Sequence, residues 1–174
     1  MSISLHHALV PTWIQMLEAL DGLIDKAAGH CAEIGMDDEG LCSQKLAPDM
    51  FDFAYQVQSA TSHSIGAIEG VREGVYSPDL NAPPRSFAEM KQVIADTLSQ
   101  LEELDPSELD GFIGKKMEFR FKEFVIPFVA EEFLLSFSQP NFFFHVTTAY
   151  ALLRAMGVEI GKRDYMGALR TMPI

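Results

Sequence analysis

The groups best suited to chemistry in this sequence are five histidines, two cysteines and a small set of hydroxyl and amide side chains. His145 stands in the run Asn141-Phe142-Phe143-Phe144-His145-Val146-Thr147-Thr148-Ala149-Tyr150. It follows Phe142 by three residues and precedes Val146 by one, which sets it beside the apolar stripe of a helix. Asn141 lies one turn earlier on the same face, so the pair can point at one ligand. His145 is then either a ligand or metal contact, or a core-edge imidazole satisfied by a hydroxyl or carbonyl. His63 falls in Thr61-Ser62-His63-Ser64, a run of small polar residues inside an otherwise apolar stripe. Thr61 and Ser64 cannot fill the volume of two leucines. Either neighbours fill it while the hydroxyls bond back to their own helix carbonyls, or a polar pocket lies there. Gln56, about two turns before His63, would complete a polar wall.

The remaining candidates are weaker. His6 and His7 near the start read as solvated or capping residues, and His30 sits near a helix end where the dipole favours a cation. Cys31 and Cys42 make a poor disulfide framework and read as reduced, buried filler, which places the chain in the cytoplasm. The pairs Glu102-Glu103 and Glu131-Glu132 are adjacent in sequence and so point to different helix faces, into solvent. The sequence contains no HxxxH, HExxH or ExxH spacing, no GxSxG elbow, no phosphate-binding glycine loop and no dinucleotide fingerprint. No nucleotide cofactor is expected.

Those candidate residues are positioned by long amphipathic helices. Leu9, Trp13, Met16, Leu20, Ile24, Ala27, Cys31 and Ile34 recur every three or four residues and mark a first helix, with Pro11 near its start. A second is expected to open at Pro48-Asp49 and to carry Met50, Ala54, Val57, Thr61, Ser64, Ile68 and Val71. A third has the capping-box signature of Ser86 with Glu89 and a stripe of Phe87, Met90, Ile94, Thr97 or Leu98, Leu101 and Leu104. Met117, Phe119 and Phe121 then alternate with charged residues, a strand pattern, with Phe124 to Phe128 as its antiparallel partner. The helical period resumes near Ala130, is divided or kinked at Pro140, and ends with Phe142, Val146, Ala149, Leu153 and Met156 before Gly157. Gly40 to Pro48, Ser77 to Pro84 and Asp105 to Gly114 are the loops.

Four stripes of this width want one shared core. The expected fold is mainly all-α: one domain over residues 1–174, an antiparallel four-helix bundle with a small β-hairpin inserted before the last helix. The net charge of −12 argues against nucleic acid and against an anionic membrane surface. No apolar run is long enough to span a bilayer, and the start of the sequence has no secretory signal pattern. The Phe142-Phe143-Phe144 run is too aromatic for one stripe. Phe142 faces the bundle, and Phe143 or Phe144 must face the hairpin or a second subunit, which suggests a homodimer.

Leu46-Ala47-Pro48-Asp49-Met50, Gln56-Val57-Gln58, the segment Pro140 to Tyr150 and Gly161-Lys162-Arg163-Asp164 together resemble an uncharacterised bacterial family in the DinB/YfiT-like superfamily. The resemblance implies an antiparallel four-helix bundle that commonly forms homodimers, and a metal-dependent enzyme. Its characterised members include thiol-dependent transferases and a mycothiol-dependent isomerase. Their zinc or nickel is held by one histidine on the second helix and an HxxxH pair on the last. Here His63 matches the first position and His145 one of the other two, with Asn141 four residues before it and Ala149 four after. A divalent metal on His63 and His145 is therefore expected to bind weakly or not at all. Three readings follow. One is a metal-assisted enzyme, with Asn141, Gln56 or water completing the shell. Another is a metal-free module binding a small molecule between Gln56, Thr61, Ser64, Asn141 and His145. The third is a dimeric, stress-associated structural protein.

Overall fold

The computed structural model describes residues 3–172, and they are mainly helical. The first long helix, α1 (Leu5–Ile34), starts where the Ser4 hydroxyl accepts from the His7 N–H and stops at Gly35, whose φ of 71° is the left-handed conformation glycine tolerates. Every member of its predicted stripe is buried except Ile34, which lies 52% exposed at the end of the helix. Pro11 lies inside the helix, deeper than the first turn.

The second predicted helix is built differently. Pro48-Asp49 forms a turn, and the helix opens instead at Phe53, because the Asp52 carboxylate accepts from the Tyr55 N–H. It is also two helices, α3 (Phe53–Ser62) and α4 (Ile65–Glu73), with His63 and Ser64 between them. The predicted 40–48 and 105–114 loops hold short helices, α2 (Asp38–Cys42) and α6 (Pro106–Asp110), each capped by an aspartate. In α5 (Phe87–Glu102) Ser86 caps as expected, but Glu89 reaches one residue further and accepts from the Arg85 N–H.

Strands β2 (Lys116–Phe121) and β3 (Phe124–Val129) form the predicted antiparallel pair, with Phe119 opposite Ile126. A two-residue strand that the pattern did not reveal, β1 (Val75–Tyr76), adds to β2 in parallel and gives the order β1-β2-β3. Beyond the hairpin, α7 (Ala130–Glu132) runs into a π-helical turn at Phe133–Ser138 and then α8 (Gln139–Ala155). Pro140 sits in the first turn of α8. It lacks the N–H that would close an ordinary helical bond and crowds the preceding turn, so the wider turn upstream relieves the conflict. The last helix among the described residues, α9 (Lys162–Met166), lies on α1 with Lys26 paired to Asp164 at 2.6 Å.

One apolar core joins these elements. Helix α1 packs on α5 and α8, and α3 packs on the same two. Trp13, Phe53, Phe133 and Phe142 are the largest fully buried side chains in it. Phe142 faces this core as expected, Phe143 is packed against it, and Phe144 is 55% exposed. None of the described helices is long and apolar enough to cross a membrane.

Candidate functional site

The break between α3 and α4 is what presents His63. Ser64 cannot continue the helix (φ −112°, ψ −92°), and its hydroxyl donates to the carbonyls of Ala60 and Thr61. Thr61 likewise donates to the Gln58 carbonyl at 2.8 Å. Both hydroxyls therefore satisfy their own helix, and Ser64 is fully buried. The polar run marks a chain break, and the break leaves the His63 ring facing α8 and the π turn.

There it meets His145. The two imidazoles stack with ring centroids 5.7 Å apart and planes 14° from parallel, so the second and last long helical segments bring their histidines to one level. Both rings are half-buried. The Gln56 side chain lies behind His145: its Oε1 is 2.8 Å from Nδ1, and its own Nε2 donates to the Phe51 carbonyl. An amide oxygen only accepts, so His145 carries its proton on Nδ1. His63 is held in a similar way by the π turn. The Ser138 hydroxyl donates to the His63 carbonyl at 3.0 Å, which leaves its oxygen to accept from His63 Nδ1 at 3.3 Å. The Tyr76 hydroxyl stands 3.4 Å from the same nitrogen and 2.9 Å from the Ser62 hydroxyl. With both Nδ1 protons so placed, neither Nε2 lone pair has a hydrogen-bond partner among the described residues.

Electrostatics follow from burial. Loss of water pushes His63 down to about 3, the neighbouring His145 adding to the effect, and pushes His145 down to about 4. Both rings are neutral at pH 7. Burial raises the Tyr76 phenol to about 12 despite its hydrogen bond to Ser62, so it stays a neutral donor. Aromatic rings enclose the pair: Phe137 is 6.0 Å from His63, and Tyr55 and Phe144 meet His145 edge-on at 6.3 and 5.3 Å.

Of the predicted site residues, His63, His145 and Gln56 converge. Asn141 turns back, its amide nitrogen donating to the Phe137 carbonyl at 2.7 Å. Tyr76 and Ser138 belong to the site, and no periodicity pointed to them. Pro140, two residues after Ser138, was the available clue to the irregular turn. His30 contacts the Met156 carbonyl at 3.1 Å, away from this centre. Cys31 and Cys42 are buried and unbonded, and burial raises both thiols, Cys42 to about 12, which leaves them unreactive.

A model of a family described as a domain of unknown function, DUF1993, matches residues 5–166. The chain belongs to that family. No curated protein matches it. Among solved structures it is similar to a DinB family member protein from Shewanella denitrificans, at 28% identity over 98% of this chain and 96% of that one, with a TM-score of 0.81. The chain is thus a DinB-like family protein.

A DinB-like fold raises the question of a metal. The free Nε2 atoms are suitable donors, and their Nδ1 partners are of the kind that orient metal-binding histidines. Catalytic zinc takes three protein ligands. Among the described residues no cluster of three or more His, Cys, Asp or Glu side chains is placed to hold an ion. Gln56 Oε1 is spent on His145, and Ala149 stands in the position four residues after it. The residues present do not make a three-histidine centre.

Proposed function

We propose that this chain is a small-molecule-binding member of the DinB-like proteins, an antiparallel four-helix bundle in which the histidine site works as a pair of hydrogen-bond acceptors. The observation that carries the reading is the geometry: two stacked, half-buried imidazoles, each with its Nδ1 set against a hydrogen-bond partner and, among the described residues, no third metal-binding side chain beside them. Depressed basicity makes the rings poor proton carriers near neutrality, so recognition suits them better than acid–base catalysis. The aromatic surround of Tyr55, Phe137 and Phe144 suits a ligand with an apolar or aromatic body and a hydroxyl or N–H donor.

Phenol serves as the probe and toluene as its control. Phenol is expected to shift the ring resonances of His63 and His145 saturably, and toluene is not. A zinc or nickel ion held by both Nε2 atoms is the competing reading, favoured by the same lone pairs. Less than about 0.1 equivalent of metal in the purified protein, with zinc binding no tighter than micromolar, supports the acceptor site. Submicromolar zinc binding abolished by His63→Ala and by His145→Ala selects the metal. A second copy of the chain is the proposed partner, with Phe144 as the exposed aromatic at its interface; a monomer by light scattering at micromolar concentration removes it.

A further inference from the structure

We propose that a second site, the cleft between α3, α5 and the 79–85 loop, binds the ammonium group of a small amine. The cleft has a volume of about 570 Å³, within the range of small-molecule sites. Gln58 lines it and is 7% exposed. Its Nε2 donates to Asp79 Oδ2 at 2.7 Å and to the Asn81 carbonyl at 3.4 Å. Both partners are acceptors, so the amide cannot turn over without setting its oxygen against a carboxylate and a carbonyl. Gln58 Oε1 is therefore a fixed acceptor. It is buried, and it finds no donor among the described residues. A buried carbonyl in that state lacks the donor that buried acceptors ordinarily find, and none of the described residues supplies it.

The rest of the wall asks for the same ligand. Asp79 presents its carboxylate, with Oδ1 accepting from the Asn81 N–H. The Thr61 hydroxyl proton is committed to the Gln58 carbonyl, so its oxygen is left as an acceptor. Glu89 adds a second carboxylate. Arg85, the cation at this cleft, is drawn off to Asp52 at 2.8 Å. The adjoining groove shares Thr61 and Asp79 and adds Glu69 and Glu73, so the negative field continues along the surface of a chain with net charge −12. An ammonium supplies three donors and no acceptor, matching a set of acceptors with its donors already spent. Pro83, Pro84 and Val93 give its carbon chain an apolar surface. The proposal makes no use of the imidazole pair and stands or fails apart from it.

The test is an NMR titration of the full chain at pH 7 and constant ionic strength with n-butylammonium, trimethylbutylammonium and 1-butanol. Saturable shifts are expected at residues 58, 61 and 79–85 for n-butylammonium, at least tenfold tighter than for the other two probes, because only it combines charge with N–H donors. Gln58→Met is expected to weaken that binding at least tenfold. Asp79→Asn, at a loop position, gives the same readout if the Gln58 variant does not fold. Absence of saturable shifts up to about 50 mM, equal response to trimethylbutylammonium or butanol, or unchanged affinity in a folded variant overturns the proposal.

Discussion

Gly70 and Tyr76 are in closer contact than any other side chain would allow: a Cβ on Gly70 would stand 2.9 Å from Tyr76 Cβ and 3.2 Å from its Cα. The missing side chain on α4 lets β1 fold back on the helix, and that return puts the Tyr76 hydroxyl beside His63. A helix glycine thus acts on the site through one strand residue.

Gly70→Ala is accordingly expected to destabilise the fold, although alanine is the better helix former. Intrinsic propensity would contribute about 1 kcal/mol in its favour, whereas overpacking against backbone and Cβ atoms costs about 1–3 kcal/mol. Denaturant unfolding should show a net loss, with the Tyr76 aromatic resonances displaced. A more stable variant with Tyr76 unmoved would mean that β1 shifts freely.

The depressed basicity of the imidazole pair has a sign that can be checked. An unfolded histidine titrates near 6.5, while folded His63 and His145 do so at about 3 and about 4. As pH falls below 6.5 the unfolded chain takes up protons that the folded chain refuses, so this contribution is full above 6.5 and is lost as pH falls toward the folded values. Unfolding free energy should drop between pH 7 and pH 4.5 in the wild type, and drop less steeply in a His63→Gln/His145→Gln variant. Ring resonances of either histidine titrating near 6.5 in the folded protein would contradict the placement.

Much of this was legible in the residues. The α1, α5 and α8 stripes, the β2–β3 pair and the Ser86 cap follow from local period and capping chemistry, which tertiary contacts reinforce. The pairing of His63 with His145 came from the family resemblance, and the stacked geometry agrees with it. The rest depended on interactions remote in sequence. Asp52 outcompetes Pro48 as a helix start because its carboxylate reaches an orphan N–H. Tyr76 joins a sheet through β2, more than forty residues later. Ser138 reaches His63 only because a π turn precedes Pro140. Thr61 and Ser64 carry a polar signal that coordinates resolve differently for each: both hydroxyls bond to their own helix, Ser64 is buried at the chain break, and Thr61 also lines the cleft beside Gln58.

Gln56 sets which nitrogen of His145 is free. Gln56→Leu keeps most of the volume and removes the acceptor, leaving a half-buried N–H without a partner at a cost of about 1–3 kcal/mol. Nitrogen-15 shifts of the His145 ring should move from the single Nδ1–H tautomer toward a mixture, and phenol binding should weaken with it. Gln56→Glu should instead raise the basicity of His145 by setting a carboxylate beside it. An unchanged tautomer in the Leu variant would show that something other than Gln56 holds the proton.

Ser138 offers the complementary test on the other ring, because it both accepts from His63 Nδ1 and donates to the His63 carbonyl. Ser138→Ala removes both bonds at the point where the broken helix meets the π turn. The Tyr76 hydroxyl remains 3.4 Å from Nδ1, so His63 keeps a partner but loses the one whose proton is committed elsewhere. Tyr76 can then donate to Nδ1 and push the proton to Nε2, closing the lone pair that the site offers. Loss of phenol response at His63 with His145 still responding is the expected result. A stability loss of about 1–2 kcal/mol with both rings responding as before would assign Ser138 to chain folding alone.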